Sequence, residues 1–334
     1  DLKLPVIMKR GTGKPTLDDD ALDRLSIKEP LVLPLIRNIR EYRSLGVFLG
    51  TFVEAELDVD DRMRCSYNIC GTETFRLSSS ANAFDSGTNL QNIPKGTKAK
   101  EAEDLSLPNI RKIFIPDSGY TFFDMDLDRA DLQVVVWEAD DHDLKKALRM
   151  GVDMHCMNAV DIFRIKGIPV DELVESHPNY RERRSQIGED KRQRAKMGVH
   201  AVDYYCKENT LAVQLGITRK EAAAFIEGWY SAHPGIKRWH EHTERQLTTR
   251  RFVENRYGYR RFYFDRVEGL LPEALAWIPQ STVAITINKI WHNIYHHLPE
   301  VQVLLQVHDS LAGQFPKGYD ISRILPYTRI PIPY

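Results

Sequence analysis

The sequence predicts a mixed α+β fold in which a large helical region is inserted between two groups of β-strands. Residues Tyr120 to Leu127 alternate in the way expected of a half-buried strand, and Val301 to Val307 form a second strand signal. Between them, from Leu132 to about Trp291, helical signatures dominate. At 334 residues, with 42% hydrophobic residues, the chain is long enough for two or three units with cores of their own.

The first third of the chain divides into a helical arm and a loop-rich segment. From Leu17 to Leu57, apolar residues recur at helical spacing within a charged frame, which predicts an amphipathic helical arm. From Cys65 to Pro116, Ser, Thr, Asn and Gly interrupt this spacing, so extended segments and loops are expected. The last residues, Ile330 to Tyr334, resemble a cut end, and we expect the sequence to be a fragment of a longer protein.

Composition excludes several classes of protein. A formal net charge of −1 excludes a uniformly basic nucleic-acid binder, so DNA contacts would have to come from local basic clusters. Clusters of this kind span residues 181–196 and 245–266, although a solvated surface explains them as well. The four cysteines lack C-x-x-C spacing, which argues against a zinc module and favours a reducing compartment. No apolar run approaches a membrane span, and a cytoplasmic protein is expected.

Two aspartates, Asp126 and Asp309, each stand at the end of a predicted strand. Asp126 shares a strand face with Phe122 and Asp124, and Asp309 lies at the tip of a hairpin that resumes with Leu311 to Phe315. Carboxylates on adjacent strands can hold two Mg²⁺ ions about 4 Å apart, the arrangement used in phosphoryl transfer. Without further motifs, however, a pair of strand-end aspartates is more often a pair of turn caps.

A second group of side chains recurs at four-residue spacing: Arg192, Lys196, His200 and Tyr204. On a helix these residues form one slowly drifting stripe, in which two cations precede two rings. Arg and Lys suit a triphosphate, and a flat ring stacks on a base, so the stripe predicts a nucleotide-binding helix. An ordinary exposed basic helix is the alternative explanation.

This stripe resembles motif B of family A DNA polymerases. The segment from Asp126 to Gln133 is similar to motif A of that family, and the segment from Gln306 to Ser310 is similar to motif C. The segments from Arg76 to Ser80 and from Asn89 to Pro94 resemble the family's template- and primer-binding segments. Five motifs in the family's order match by chance far less often than one short motif does.

The resemblance implies a right-hand polymerase fold with a palm, helical fingers and a truncated thumb. The expected division is a thumb remnant at 1–60, the first part of the palm at 61–140, the fingers at 141–264 and the second part of the palm at 265–334. The implied activity is template-directed DNA synthesis, which adds dNTPs to a primer 3′-hydroxyl and releases pyrophosphate. Primer-template DNA and dNTPs are the implied partners, with no membrane partner, in a bacterial or phage-infected cell.

The resemblance also implies a role for each matching residue. Asp126 and Asp309 would be catalytic and would hold two Mg²⁺ ions, or Mn²⁺ instead, together with the backbone carbonyl of Leu127. The implied nucleotide-binding residues are Arg192, Lys196, His200, Tyr204, Asp131 and His155. The implied template- or primer-binding residues are Arg76, Gln91, Asn92, Gln280 and His308. DNA contacts of this kind use groups that all base pairs share, so binding would not depend on sequence.

Five residues depart from the family's pattern. Asp131 replaces a glutamate that crowds the sugar 2′ position, so weaker exclusion of ribonucleotides is expected. His200 replaces Phe or Tyr, which keeps a ring beside the incoming base but makes it titratable. Ser310 replaces a third carboxylate, and Tyr205 and Phe75 replace glycines. Catalysis is therefore expected to rest on two aspartates.

Two alternative functions stay open at this point. A single-subunit RNA polymerase-like enzyme also uses a His-Asp-Ser motif, and a catalytically silent DNA-binding relative would keep the fold without the reaction. Outside the motifs, His240 and His242 are expected at the surface. His292 and His296 have the spacing of a metal pair, but no Glu follows His292 as in the H-E-x-x-H zinc motif, so a structural explanation is favoured.

Overall fold

The computed structural model describes residues 3–9, 12–84, 86–94 and 107–334, and the side chain of residue 268 is left out of the description. The chain divides into two compact units, one formed by residues 1–68 and 78–116 and the other by residues 69–77 and 117–334. Helices and strands are mixed along the chain, which confirms the predicted α+β class.

The first unit contains the predicted helical arm, which consists of helices α1 (Asp19–Lys28) and α2 (Leu33–Phe48). Helix α1 begins after Asp18, whose side chain accepts a hydrogen bond from a backbone N–H of the first turn and so caps the helix. Leu22 and Leu25 of α1 belong to a small apolar cluster that also contains residues of α2. The predicted amphipathic helices are confirmed.

The rest of the first unit is loop-rich, as predicted. Strands β1 (Ser66–Asn68) and β2 (Ser78–Ser80) pair antiparallel. A short 3₁₀ turn follows at Leu90–Asn92, and Asn89 caps it by accepting a hydrogen bond from a backbone N–H. The hydroxyl of Ser79 donates to the Asn89 side-chain oxygen at 2.6 Å, which ties this turn to β2.

The second unit is built around an antiparallel sheet of three strands in the order β3–β7–β6. These strands are β3 (Tyr120–Asp126), β6 (Gln302–Val307) and β7 (Ser310–Pro316). Both predicted strand regions are therefore confirmed. Gly313 allows the close approach of the strands, because a Cβ atom there would lie 2.2 Å from the backbone oxygen of Gln302.

The helical region lies between the strands in sequence, as predicted, and contains nine helices and one small hairpin within the described residues. The helices are α3 (Ala130–Glu138), α4 (His142–Met150), α5 (Met154–Ile162), α6 (Tyr180–Ile187), α7 (Glu189–Asp203), α8 (Glu208–Leu215), α9 (Arg219–Ala232), α10 (Pro234–Arg250) and α11 (Leu271–His297). Strands β4 (Phe252–Glu254) and β5 (Arg260–Phe262) pair antiparallel, and the short helix α12 (Leu325–Thr328) follows β7.

Apolar burial holds the second unit together through two main clusters. One fills the helical region and contains Trp229 and Trp277, which are both almost fully buried. The other joins one face of the sheet, including Phe123, to residues of α11 such as Ile290. Burial of side chains of this size stabilises a fold by about 1.5–3 kcal/mol each. Every helix among the described residues is too short or too polar to cross a lipid bilayer.

Candidate active site

Asp126 and Asp309 lie at the same end of the central sheet. Asp126 is the last residue of β3, and it stands opposite Ser310, the first residue of β7. Asp309 immediately precedes Ser310 in the two-residue loop between β6 and β7. The backbone N–H of Leu127 donates to the carbonyl oxygen of Asp309 at 3.1 Å. The predicted placement of the two aspartates on adjacent strands is therefore confirmed.

The loop that carries Asp309 is held by side chains as well as by strand pairing. His308 has a positive φ of 56°, in the left-handed region that two-residue hairpin loops use. The fully buried side chain of Gln306 donates to the carbonyl oxygen of His308 at 2.6 Å. The hydroxyl of Ser310 donates to the carbonyl oxygen of Val307 at 3.0 Å. These bonds offset a backbone conformation that costs a non-glycine residue about 1–2 kcal/mol.

Helix α7 carries three of the four residues of the predicted stripe. Arg192, Lys196 and His200 lie within the helix, whereas Tyr204 follows its last residue. The rings of His200 and Tyr204 nevertheless meet edge to face, with centroids 4.8 Å apart. Lys196 and His200 are exposed, but the Arg192 side chain is only 15% exposed. The stripe therefore begins with a half-buried side chain and continues with two exposed ones.

Asp153 explains the burial of Arg192. The Arg192 Nε lies 3.0 Å from Asp153 Oδ2, and the hydroxyl of Tyr180 donates to the same oxygen at 2.9 Å. Burial alone would raise the pKa of Asp153, but these hydrogen bonds and the charge of Arg192 lower it to about 2. Asp153 also caps α5 by accepting from the backbone N–H of His155. No role was predicted for Asp153, although an aspartate directly before a helix is a recognisable N-cap signal.

His155 lies in the same cationic region. Its side chain is half-buried. Burial lowers the pKa of His155 to about 4, and the positive charges of Arg192, Lys196 and Arg129 act in the same direction. The carboxylate of Asp153 partly opposes them. His155 is therefore neutral at pH 7, when one ring nitrogen can donate a hydrogen bond.

A pocket of about 160 Å³ opens beside α7. Its walls come from α3, α5, α7 and the residue after α7: Asp131, Leu132, Val135, His155, Asn158, Lys196, Val199, His200, Asp203 and Tyr204. Five of the six predicted nucleotide-binding residues line this pocket, and Arg192 does not. The structure therefore brings most of the predicted set together around one cavity.

Asp131 connects the pocket to the aspartate pair. Its Oδ2 lies 3.5 Å from the hydroxyl of Tyr204 and 3.5 Å from Nη2 of Arg76. Burial raises the pKa of Asp131, the charges of Arg76 and His200 oppose that rise, and the charge of Asp309 adds to it. Asp131 is thus close enough to Asp309 for their charges to interact.

The other predicted DNA-binding residues fall in different places. Gln280 is half-buried on α11, directly after Pro279, and His308 is exposed at the hairpin loop. Gln91 is buried and Asn92 is exposed in the 3₁₀ turn of the first unit. The site described above consists of residues of the second unit alone.

The histidines outside the motifs give one correction. His240 was expected at the surface, but it is only 3% exposed and its Nε2 donates to the carbonyl oxygen of Asp203 at 2.8 Å. Burial lowers its pKa to about 4.

His292 and His296 are exposed with their rings 4.3 Å apart. In the described part of the chain, no group of three or more His, Cys, Asp or Glu residues is arranged to hold a metal ion.

Comparison with known proteins shows one family. A family model described as DNA polymerase family A matches residues 1–319. DNA polymerase I of Bacillus caldotenax is 30% identical over 332 residues, which cover 95% of this chain and 34% of the relative. The thermostable DNA polymerase I of Thermus aquaticus is 29% identical over 331 residues, which cover 95% of this chain and 36% of that protein. The chain thus spans about a third of the length of these relatives.

A solved structure has a similar fold. It is described as the POL domain of Pol1 from M. smegmatis in complex with DNA primer-template and dNTP. Its TM-score is 0.75 at 24% sequence identity, and the match covers 98% of this chain and 54% of that one. At this identity, the similarity shows the fold: the mixed helix-and-sheet architecture is that of a polymerase domain.

Proposed function

Because this chain belongs to DNA polymerase family A, we propose that it carries out template-directed DNA synthesis. A primer 3′-hydroxyl would attack the α-phosphorus of a dNTP, and pyrophosphate would leave. One observation carries the proposal: the Leu127 N–H bond to the Asp309 carbonyl, 3.1 Å long, fixes Asp126 and Asp309 at one end of the sheet. The proposed substrates, primer-template DNA and dNTPs, are those named for the M. smegmatis structure.

The donor atoms at this end of the sheet fit a hard divalent cation. Asp126 and Asp309 offer carboxylate oxygens and Leu127 offers a carbonyl oxygen, which are the ligands that Mg²⁺ prefers. We propose that these three residues hold two Mg²⁺ ions, with Mn²⁺ as an alternative. When bound, such ions activate the attacking oxygen and stabilise the leaving oxygen. The protein's part is to hold the carboxylates in place, which the strand pairing and the hairpin loop do.

The cationic region beside the pocket suits the triphosphate. Lys196 is exposed and can place a point charge on a phosphate, while neutral His155 can donate one hydrogen bond. Arg192 would contribute a guanidinium whose direction is set by its ion pair with Asp153. An arginine that is already oriented loses less side-chain entropy when it binds, so the pair would favour nucleotide binding.

The remaining pocket residues suit the nucleoside. His200 and Tyr204 present ring surfaces on which a base can stack. Asp131, between Tyr204 and Arg76, would face the sugar. A bound nucleotide would thus lie with its phosphates at Lys196 and its sugar at Asp131.

DNA contacts and domain boundaries are part of the same proposal. Arg76, Gln91, Asn92, Gln280 and His308 would contact template or primer. We propose a thumb remnant at 1–60, palm segments at 61–140 and 265–334, and fingers at 141–264. The relatives compared above come from bacteria, and we propose the cytoplasm of a bacterial or phage-infected cell as the location.

A primer-extension assay on this 334-residue chain tests the proposal. With a primed DNA template, dNTPs and Mg²⁺, the wild type should extend the primer. Asp126→Asn and Asp309→Asn should each lower kcat by at least about 1000-fold, because each removes a charged metal ligand. Asp124→Asn is the matched control, since this exposed aspartate lies two residues before Asp126 on the same strand. It should keep nearly full activity.

Three results would contradict the proposal in different ways. Extension that survives in Asp126→Asn or in Asp309→Asn would remove that aspartate from the mechanism. DNA binding without extension in the wild type would support the catalytically silent relative. Extension with rNTPs but not with dNTPs would support the RNA polymerase-like alternative.

A further inference from the structure

Two residues that line the pocket beside α7 each carry a buried acceptor oxygen that no group within the described residues satisfies. They are Oδ1 of Asn158 and Oδ1 of Asp131. Asn158 lies on α5 and is only 1% exposed, so bulk water does not reach its side chain freely. A buried acceptor without a partner costs about 1–3 kcal/mol, and folded proteins normally avoid that cost. Two such oxygens on one pocket indicate that a ligand supplies the donors.

The position of the two oxygens indicates which part of a ligand faces them. Lys196 and His155 line the same pocket and suit phosphate groups. Tyr204 lies 3.5 Å from Asp131 and presents a ring to a base. The part of a nucleotide between its phosphates and its base is the sugar, whose hydroxyl groups are hydrogen-bond donors. A deoxyribose in a dNTP has one hydroxyl, and a ribose has two adjacent ones, which match two acceptors.

The size of the pocket is compatible with a sugar ring. A cavity of about 150 Å³ accommodates a six-membered benzene ring. The pocket here has about 160 Å³. A hydroxyl group that enters it would exchange a hydrogen bond with water for one with a buried acceptor, which strengthens binding by a factor of about 3–10.

We propose that Asn158 is a specificity-determining residue that accepts a hydrogen bond from the 2′-hydroxyl of a ribonucleoside triphosphate, beside Asp131. This inference rests on the proposed function, because it takes a nucleotide as the occupant of the pocket. The chain would therefore favour ribonucleotides through a hydrogen bond to the 2′-hydroxyl. The short side chain of Asp131 would also leave space for that hydroxyl.

Three nucleotides distinguish a hydrogen bond from free space at the 2′ position. ATP carries a 2′-hydroxyl, 2′-fluoro-dATP carries an atom of similar size that donates no hydrogen bond, and dATP carries hydrogen. In single-nucleotide primer extension, the wild type should use ATP with a kcat/KM about 3–10-fold above that of 2′-fluoro-dATP. Asn158→Leu, which has a similar shape but no acceptor, should bring the ratio of kcat/KM for ATP to that for 2′-fluoro-dATP to about one, whatever its effect on dATP.

Two variants control for structural effects. Asn158→Asp keeps an oxygen acceptor and should retain the preference for ATP over 2′-fluoro-dATP. Asn288→Leu removes another unsatisfied asparagine oxygen, one on α11 that does not line the pocket, and should leave the preference unchanged. Thermal unfolding of each variant checks that the fold is kept.

The outcomes separate this inference from the proposed function. Equal use of ATP and 2′-fluoro-dATP by the wild type, or the same ratio in wild type and Asn158→Leu, would overturn the role of Asn158 while DNA synthesis stands. Absence of dATP incorporation by the wild type would overturn the proposed function. In that case, calorimetric titration with the three nucleotides tests the pocket without turnover. Loss of the ATP advantage in Asn158→Leu supports the inference, and its persistence overturns it.

Discussion

His233 forms a buried ionic contact whose effect on stability can be predicted from the structure. The residue joins α9 to α10 and is only 2% exposed. Its Nδ1 lies 3.4 Å from Asp141 Oδ1, and its Nε2 lies 3.2 Å from Asp161 Oδ2. Its ring also packs on Trp229, with centroids 4.3 Å apart. With a carboxylate at each ring nitrogen, the doubly protonated imidazolium is the form that satisfies both partners.

The size of the effect on the free energy of unfolding follows from the pKa of His233 in the folded and unfolded states. Burial alone would lower the pKa of His233, but hydrogen bonds to Asp141 and Asp161, and their charges, raise it from 6.5 to about 9. Because the folded-state pKa lies above the unfolded value, protonation favours the folded protein. The contribution is complete below about pH 6.5, declines by about 1.4 kcal/mol per pH unit above it, and is lost above about pH 9. The free energy of unfolding should therefore fall by about 3 kcal/mol across this interval.

Urea unfolding at several pH values, followed by tryptophan fluorescence, measures this slope. In His233→Gln the side chain cannot be charged, so the variant should be less stable than the wild type at pH 6 and nearly equal to it at pH 9.5. His242→Gln is the matched control, since His242 is exposed on α10 and should leave the slope unchanged. Identical slopes in wild type and His233→Gln, or a His233 NMR titration midpoint at or below pH 6.5, would refute the reasoning.

Three further predictions concern the site and its support. Asp131→Glu should lower the ratio of rNTP to dNTP kcat/KM by about tenfold, because one added methylene occupies pocket space, and an unchanged ratio would contradict this. Asp153→Asn removes the buried counter-charge of Arg192 and leaves only the more exposed Glu189, 3.7 Å away, so urea unfolding should show a loss of about 3 kcal/mol and the KM for dNTPs should rise. Gly313→Ala should cost about 2 kcal/mol or more by the same assay, whereas Gly46→Ala, where a Cβ meets nothing within 4 Å, should be neutral or stabilising.

Sequence patterns predicted the elements that depend on nearby residues. Alternation over Tyr120 to Leu127 predicted a strand with Phe123 turned to one face and Asp126 to the other, and the structure has Phe123 buried and Asp126 exposed. The hairpin loop at Asp309 was predicted because the polar residues His308 and Asp309 stand between two strand segments. Such features are local, because strand period and turn chemistry act over a few residues.

Contacts between residues far apart in sequence could not be predicted in this way. Arg192 and Asp153 are 39 positions apart, and His233 is 92 positions from Asp141 and 72 from Asp161. Nothing in a local pattern marks one of many aspartates as the partner of a given cation. The same limit explains the error at His240, whose polar ring is buried because Asp203, 37 positions away, offers it a carbonyl oxygen.

These contacts between distant residues, which were not predicted, nevertheless hold the helix that carries the predicted stripe. Near its beginning, α7 is joined to α5 by the ion pair of Arg192 with Asp153. At its end, Asp203 accepts from the indole of Trp229 on α9 at 2.9 Å, and its carbonyl oxygen accepts from His240 on α10. Asp203 is only 3% exposed, and this burial raises the pKa of its carboxyl to about 7. The exposed residues of the stripe lie between these two contacts, so the local motif supplies the proposed nucleotide-binding groups and the distant contacts hold the helix that carries them.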